Sequence, residues 1–372
     1  MKFLVVSTSP IIHLDNEYTA YSPYVREMVM WEKYVDEVGF CCPIRTNKTN
    51  LLRTKIPFSI PTFFTTKEAN LKSVSSVLRA LLFSFYNAVV IFKGMYWADH
   101  IHLRCPGNIG LLGSIIQLFF PFKPKTAKYA GNWDPNSKQP WSYRLQKWII
   151  SNPILTRNMQ VLVYGEWENS TSNIKPFFTA TYFESDKKEV VKPNFSNGIQ
   201  FIYVGTLTSG KNAMYAIQLI EAIKQIGHNV SLKIFGEGPE KERLADYIQS
   251  KNASAFVYLL GNQDVETVKQ AYCDSHFLIL PSKSEGWPKV VAESMFWKCI
   301  PIASKVSCIP SMLDHGKRGV LLTMTINEDV RQISGLLENP EMYKKMAEDS
   351  MIWSRKYTLD YFESQIKILL QR

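Results

Sequence analysis

The chain has 372 residues, enough for two domains with full cores. Hydrophobic residues make up 46% and charged residues 20%, ordinary for a globular protein and unlike a disordered or fibrous one. The net charge of +10 is uneven: Lys plus Arg against Asp plus Glu is 23 against 14 in residues 1–196 (+9) and 20 against 19 in residues 197–372 (+1). A basic first half suits anionic partners, phospholipid headgroups or a lipid diphosphate. Nucleic acid is the rival partner, but no helix-turn-helix, zinc or RNP-like pattern is present.

In chain order, MKFLVVSTSP reads as a buried strand near 2–7, its apolar core being too short for a signal peptide. Apolar runs then alternate with amphipathic stretches, the pattern of parallel βαβ units. Strands are expected near 38–42, 99–103, 126–130 and 160–164, and helices over 23–36, 71–90, 108–120 and 140–150. The longest apolar run, 80–92, is interrupted by Ser84 and Asn87 and is shorter than the roughly eighteen residues of a membrane span. The polar segment 187–198, with Pro193 and Gly198, reads as the linker between a domain at 1–192 and another at 193–352. The second half then runs strand 200–204, helix 212–226, strand 230–235, helix 239–250, strand 256–259, helix 265–272, strand 276–280, helix 288–297 and strand 300–303. Residues 353–372 carry Tyr361, Phe362, Ile366 and Leu369 as one helical stripe. The six cysteines show no metal spacing and read as reduced thiols of a cytosolic protein. After the first strand comes STSPII rather than a glycine-rich turn, which argues against a dinucleotide-dependent oxidoreductase.

Residues 284–303, SEGWPKVVAESMFWKCIPIA, carry the most chemistry. An apolar strand ends, the chain turns at Gly286, and Pro288 stands where a first helical position is expected. The free N–H groups of that helix start would face an anion. Glu285 lies just before it and Glu293 inside it, and carboxylates accept hydrogen bonds from sugar hydroxyls. Phosphate and hydroxyls together describe a nucleotide sugar.

This Glu-x7-Glu segment resembles the retaining GT-B glycosyltransferases of the family 4 type (glycosyl transferases group 1). YVGTLTSGKN (203–212), KIFGEGPEKERL (233–244) and LLGNQDVETVKQAYCDSHFLILPS (259–282) resemble the same family in the same order, so the likeness covers roughly residues 199–325. It implies an α/β fold of GT-B type: two Rossmann-like domains facing across a cleft, with 353–372 crossing back to the first. It also implies a retaining hexosyltransferase that takes a UDP- or GDP-sugar, needs no other cofactor, and acts on a polysaccharide or lipid-diphosphate-linked saccharide acceptor. Capsule, exopolysaccharide or O-antigen synthesis at the inner face of the cell membrane is the expected setting. A GT-B nucleotide-sugar epimerase and a non-catalytic subunit of a transferase complex are the alternatives.

By this resemblance, Lys211 holds the donor diphosphate, Glu285 faces the donor sugar and Glu293 the ribose. Gly205, Gly236 and Gly238 let backbone approach the nucleotide, and the amides of Gly286, Trp287 and Lys289 line its phosphates. Thr206 stands where the family usually has arginine, so another basic residue has to compensate. His102-x-Arg104-x-Pro106 replaces the family's His-x-His-x-Pro, which makes Arg104 a phosphate or sugar-oxygen ligand and His102 a catalytic candidate. Asn132 and Asp134 of GNWDP are acceptor-side candidates, Asp134 as a base or as a turn residue. No Asp-x-Asp occurs, so no metal site is expected.

Overall fold

The structure, a computed structural model, describes residues 1–47, 53–68 and 74–371, and for 74–81 only the backbone. Internal contacts divide the chain into two units, Met1–Phe177 with Glu363–Arg372, and Phe178–Phe362.

The first unit holds a seven-stranded, wholly parallel sheet. Its order is Ile174–Phe177, Met159–Tyr164, Lys125–Tyr129, His100–Cys105, Lys2–Val6, Glu37–Cys42, Thr62–Thr65. The first strand of the chain thus sits in the middle, with later strands added on either side of it. Such strands are covered on both faces, which is why they read as unbroken apolar runs rather than alternating ones. Ile101, Leu103, Ala127, Val161 and Val163 pack there with helix residues Ile91, Met95 and Ile109.

Sequence periodicity located the five longest strands but not the edge strands Thr62–Thr65 and Ile174–Phe177. It also missed a four-stranded sheet of Ile44–Arg45, Ile11–Leu14, Glu17–Tyr21 and Arg53–Lys55. Its central hairpin turns on Asp15 and Asn16, both with positive φ (51° and 60°), as a two-residue loop requires. Without glycine there, the turn signal is weak. The helices are Ser22–Glu32, Val74–Trp97, Asn108–Ile116 and Trp141–Ser151. Of the helix expected over 71–90, residues 71–73 lie outside the described residues, and the helix runs on to Trp97.

The second unit holds a six-stranded parallel sheet ordered Val257–Gly261, Val230–Phe235, Ile199–Val204, Phe277–Leu280, Ile300–Ser304, Val320–Leu322. Counted within the unit this is 3-2-1-4-5-6, the Rossmann order. The order reverses between Ile199–Val204 and Phe277–Leu280, so connections leave these two neighbours in opposite directions. Their carboxyl ends therefore border an open crevice.

The boundary falls at Phe178 rather than within 187–198 because residues 178–192 pack on the second unit. Phe178 stacks on Tyr361 at 5.3 Å, Tyr182 lies 4.8 Å from Phe296, and Lys192 Nζ donates to the carbonyls of Tyr272 and Ser275, at 2.6 Å each. The C-terminal stretch also differs from expectation, since it is not one helix over 353–372. Pro340–Ser354 ends, and Leu359–Leu370 starts afresh on Thr358, whose Oγ1 accepts from the Tyr361 N–H at 3.3 Å. Phe362, Ile366 and Leu369 of the expected stripe are buried, while Tyr361 is largely exposed. From Glu363 on, this helix belongs to the first unit, where Glu363 accepts from Lys33 at 2.7 Å and Tyr34 at 3.0 Å.

Candidate active site

In the second unit two turns meet at the crevice: 205–212 after Ile199–Val204, and 281–288 after Phe277–Leu280. The Lys283 N–H donates to Gly210 O at 2.8 Å, and Lys211 Nζ lies 2.6 Å from Glu285 Oε1. Glu285 is almost buried and Lys211 partly exposed, so a nearly desolvated carboxylate is balanced by a cation that still reaches solvent. Ser307 Oγ at 3.1 Å and Cys308 Sγ at 3.3 Å donate to Gly286 O, tying down the second turn from its other side.

Two of the glycines also allow a close approach within the protein. A Cβ on Gly236 would stand 1.9 Å from Gly205 O, and one on Gly238 2.4 Å from Leu207 O. They let the 236–240 turn lie against the 205–208 turn, and the Leu207 N–H to Glu237 O bond at 2.9 Å closes that contact. Their absent side chains thus hold the Lys211 turn in place. Thr206 is exposed, and Lys283 supplies a second cation on the same pair of turns.

The next helix is Lys289–Phe296, with Pro288 as its N-cap rather than its first residue. Glu293 does not share partners with Glu285: its Oε1 accepts from Thr181 Oγ1 at 2.7 Å and its Oε2 from the Tyr272 hydroxyl at 3.4 Å. Burial, with Glu293 adding to it, raises the Tyr272 hydroxyl well above its ordinary pKa, so it stays protonated as a donor. Trp287 packs toward Trp353 (6.4 Å between centroids) and Tyr357 (6.0 Å), so its ring belongs to an aromatic cluster. A hollow of about 740 Å³ among Lys192, Phe195, Lys298 and Tyr343 contains none of these residues.

In the first unit the expected residues lie at the carboxyl end of His100–Cys105, beside the point where that sheet's order reverses. Arg104 is paired in register with Lys128 on the next strand, two like charges side by side. Glu27, from the helix Ser22–Glu32, answers both, at 2.9 Å to Arg104 Nη1 and 2.9 Å to Lys128 Nζ. Burial alone would raise the Glu27 carboxyl, but Arg104 and Lys128 more than offset it and hold it well below the usual carboxylate range. The Arg104 guanidinium also lies 4.6 Å over the Tyr24 ring. Arg104 is therefore engaged by its own chain, not presented as the open ligand expected. Glu27 and Lys128 were missed from sequence; the signal available was the two lysines of the strand KTAKY, which need partners if buried, and Lys128 finds Glu27 while Lys125 donates to Phe120 O at 2.6 Å.

His102 is a correction as well. It is fully buried, tilted 4.6 Å from Trp31 and stacked 5.6 Å from Phe3, with Nδ1 2.8 Å from Thr126 Oγ1. That is the place of a core histidine, and burial, with Arg104, holds its pKa well below the ordinary value. The Thr126 hydroxyl also meets His100 Nε2 at 3.1 Å. Burial, with Lys125, lowers His100 to about 4, so the folded protein binds this proton less readily than the unfolded chain, whose histidine titrates near 6.5. Stability should therefore fall as pH drops from about 6.5 to about 4. Thermal melting across that window should show a shallower fall for His100→Asn, and equal slopes would assign His100 no part in it.

Asn132 and Asp134 build a turn. Asn132 Oδ1 accepts from the Asp134 N–H at 2.9 Å and Asp134 Oδ1 from the Asn136 N–H at 2.8 Å, the turn alternative raised for Asp134.

Two parallel sheets in Rossmann order, with a helix passing from the second unit into the first, define the GT-B fold. Solved structures of that fold match the whole chain. Anabaena HepE in complex with UDP is 15% identical, covers 100% of this chain and 99% of its own, and superposes with a TM-score of 0.67. The lipopolysaccharide outer core galactosyltransferase WaaB in its apo form matches at 16%, with the same coverage and TM-score. Residues 184–352, nearly all of the second unit, match the family Glycosyl transferases group 1. Among curated relatives, an uncharacterized glycosyltransferase of Haemophilus influenzae is 29% identical over 45% of this chain and 47% of its own length. The alpha-D-kanosaminyltransferase of Streptomyces kanamyceticus is 23% identical over 44% and 43%. The chain thus spans less than half the length of these curated relatives.

Proposed function

We propose that this protein is a retaining glycosyltransferase that moves a hexose from a nucleoside-diphosphate sugar to a saccharide acceptor. The observation that carries this reading is the Lys211–Glu285 pair, which joins the two turns where the strand order reverses. In open parallel sheets that is where ligands bind. A diphosphate entering there competes with Glu285 for Lys211, and the charge that grows on the departing diphosphate is met by a cation already in position. Lys283 is assigned the place of the arginine that Thr206 replaces. Glu285, freed from the lysine, accepts from the sugar hydroxyls. HepE was solved with UDP and with UDP-glucose, which supports a uridine nucleotide as the first donor to try.

Glu293 is assigned the ribose. A carboxylate has about four lone-pair positions, so bonds from Thr181 and Tyr272 leave room for ribose hydroxyls. These bonds exist before and during transfer, so Glu293→Gln should raise KM for the donor about tenfold and leave kcat nearly unchanged. A kcat loss at unchanged nucleotide affinity would remove Glu293 from the ribose.

The acceptor is assigned to a polysaccharide precursor, lipid-diphosphate-linked, used at an anionic membrane surface by a peripheral enzyme. The charge of the first half, +9 over residues 1–196, supports this. The deciding experiment offers the purified protein a panel of UDP- and GDP-sugars and detects released nucleotide and free sugar by mass. Release from one donor supports the reading. No binding or turnover of any nucleotide sugar overturns it.

A further inference from the structure

The helix Val74–Trp97 presents Leu82, Phe85, Tyr86, Val89, Phe92 and Tyr96 to solvent, at spacings of three and four that place them on one stripe. Phe85 and Tyr96 are each 75% exposed. The stripe does not end at the helix. The Phe92 ring lies 6.1 Å from Phe119 and 5.0 Å from Phe120, and Lys123 Nζ donates to the carbonyls of Met95 and Tyr96 at 2.8 Å. These contacts pin the segment 117–123 alongside, where Phe119 (68%) and Phe122 (85%) are also exposed.

The helices Asn108–Ile116 and Trp141–Ser151 continue the layer, the former packed on both the latter and Val74–Trp97. Trp141, Leu145 and Trp148, at i, i+4 and i+7, give the last helix its own exposed apolar face. None of the three helices contains an acidic residue, and residues 74–160 hold ten Lys and Arg against two Asp and Glu. Lys93 and Arg144 are exposed on the same helices. A patch of this extent on a soluble protein marks a binding face. Its chemistry is that of the membrane interface: Phe and Leu to enter the acyl boundary, Trp and Tyr for the headgroup level, cations for anionic lipid.

We infer that this helical face of the first unit inserts into the interface of an anionic lipid bilayer. The inference rests on the membrane setting proposed above and deepens it, since net charge alone describes attraction without a docking face. Apolar insertion separates the two, because salt screens exposed charges but not buried rings.

Sedimentation with vesicles tests the face without any glycosyl transfer, so its failure and the failure of the enzymatic reading are distinguishable. Wild-type protein should bind phosphatidylglycerol-containing vesicles, bind pure phosphatidylcholine more weakly, and keep part of its binding at high salt. Phe85→Ser with Phe122→Ser, two rings that are mostly solvated, should melt like the wild type and bind about tenfold more weakly. Equal binding by wild type and double variant, or binding abolished by salt in both, overturns insertion. A wild type that ignores vesicles overturns it as well. So does a dimer in solution that the double variant dissociates, which assigns the face to a second copy of the chain.

Discussion

Lys211→Ala should leave a folded protein whose turnover is about 10²–10³-fold lower, the loss expected when one aimed charge is removed from a developing anion. The argument starts from Glu285. Its side chain is 7% exposed, and such a carboxylate needs a partner. In the unliganded protein that partner is Lys211, so the cation is held at the crevice by the residue it would leave for the donor. Removing the lysine has two separable consequences. Glu285 loses its counter-charge, but the lysine is 31% exposed, so water replaces part of it and the stability cost should be nearer about 1 kcal/mol than the 3–5 of a fully buried pair. The diphosphate loses its cation during departure, and no solvent substitutes well there. Glu285→Gln separates the two residues further, since the amide keeps the shape and removes the charge. It should lower kcat while nucleotide affinity holds or rises, because the competitor for Lys211 is gone. The measurement is turnover per folded molecule, with melting curves taken alongside. A folded Lys211→Ala protein with wild-type turnover would end the assignment.

Much of this site is legible in sequence because it depends on turns, and turns depend on residue types that local chemistry restricts. Gly236 and Gly238 are required by contacts at which any Cβ would strike a carbonyl, and both follow directly on the strand Val230–Phe235. The runs at 199–204 and 277–280 are apolar and mostly buried, and 230–235 alternates buried Val230, Leu232 and Ile234 with half-buried Ser231 and Lys233, so each is marked as a strand. The first unit is harder to read. Arg104 alone in a sequence looks like a ligand. What occupies it is Glu27, 77 positions away on a helix that packs across its strand. No local pattern announces that pairing, and the same holds for His102 under Phe3 and Trp31. Edge strands such as Thr62–Thr65 are short and partly exposed, so neither alternation nor an apolar run marks them. The exposed rings of Val74–Trp97 were visible as apolar residues. Which of them face water depends on the helix's phase against the sheet, and sequence does not give that phase.

Glu27→Gln is expected to have the largest effect on stability, about 3–5 kcal/mol, because it leaves two buried cations without a counter-charge. Arg104 and Lys128 stand in register on adjacent strands, so the like charges cannot move apart without shifting the sheet. The pH dependence identifies the cause. Burial alone would raise the Glu27 carboxyl, but the two cations prevail and its folded pKa lies below the unfolded value of about 4.3. Its contribution is therefore complete above that pH and is lost as pH falls through the lower folded value. Wild type and Glu27→Gln should converge on acidification for this reason. They should also approach each other at alkaline pH. Burial already lowers Lys128, Glu27 offsets part of that, and without Glu27 the lysine sheds its proton earlier and relieves the repulsion. Denaturant melts at several pH values test this, with Glu27→Gln, Lys128→Met as the rescue. Removing one cation should recover most of the loss, since Arg104, 17% exposed on its side chain, still reaches water. If Glu27→Gln melts like the wild type at neutral pH, or if Lys128→Met fails to rescue it, the triad does not hold the helix Ser22–Glu32 on its sheet, and Arg104 becomes available to a ligand after all.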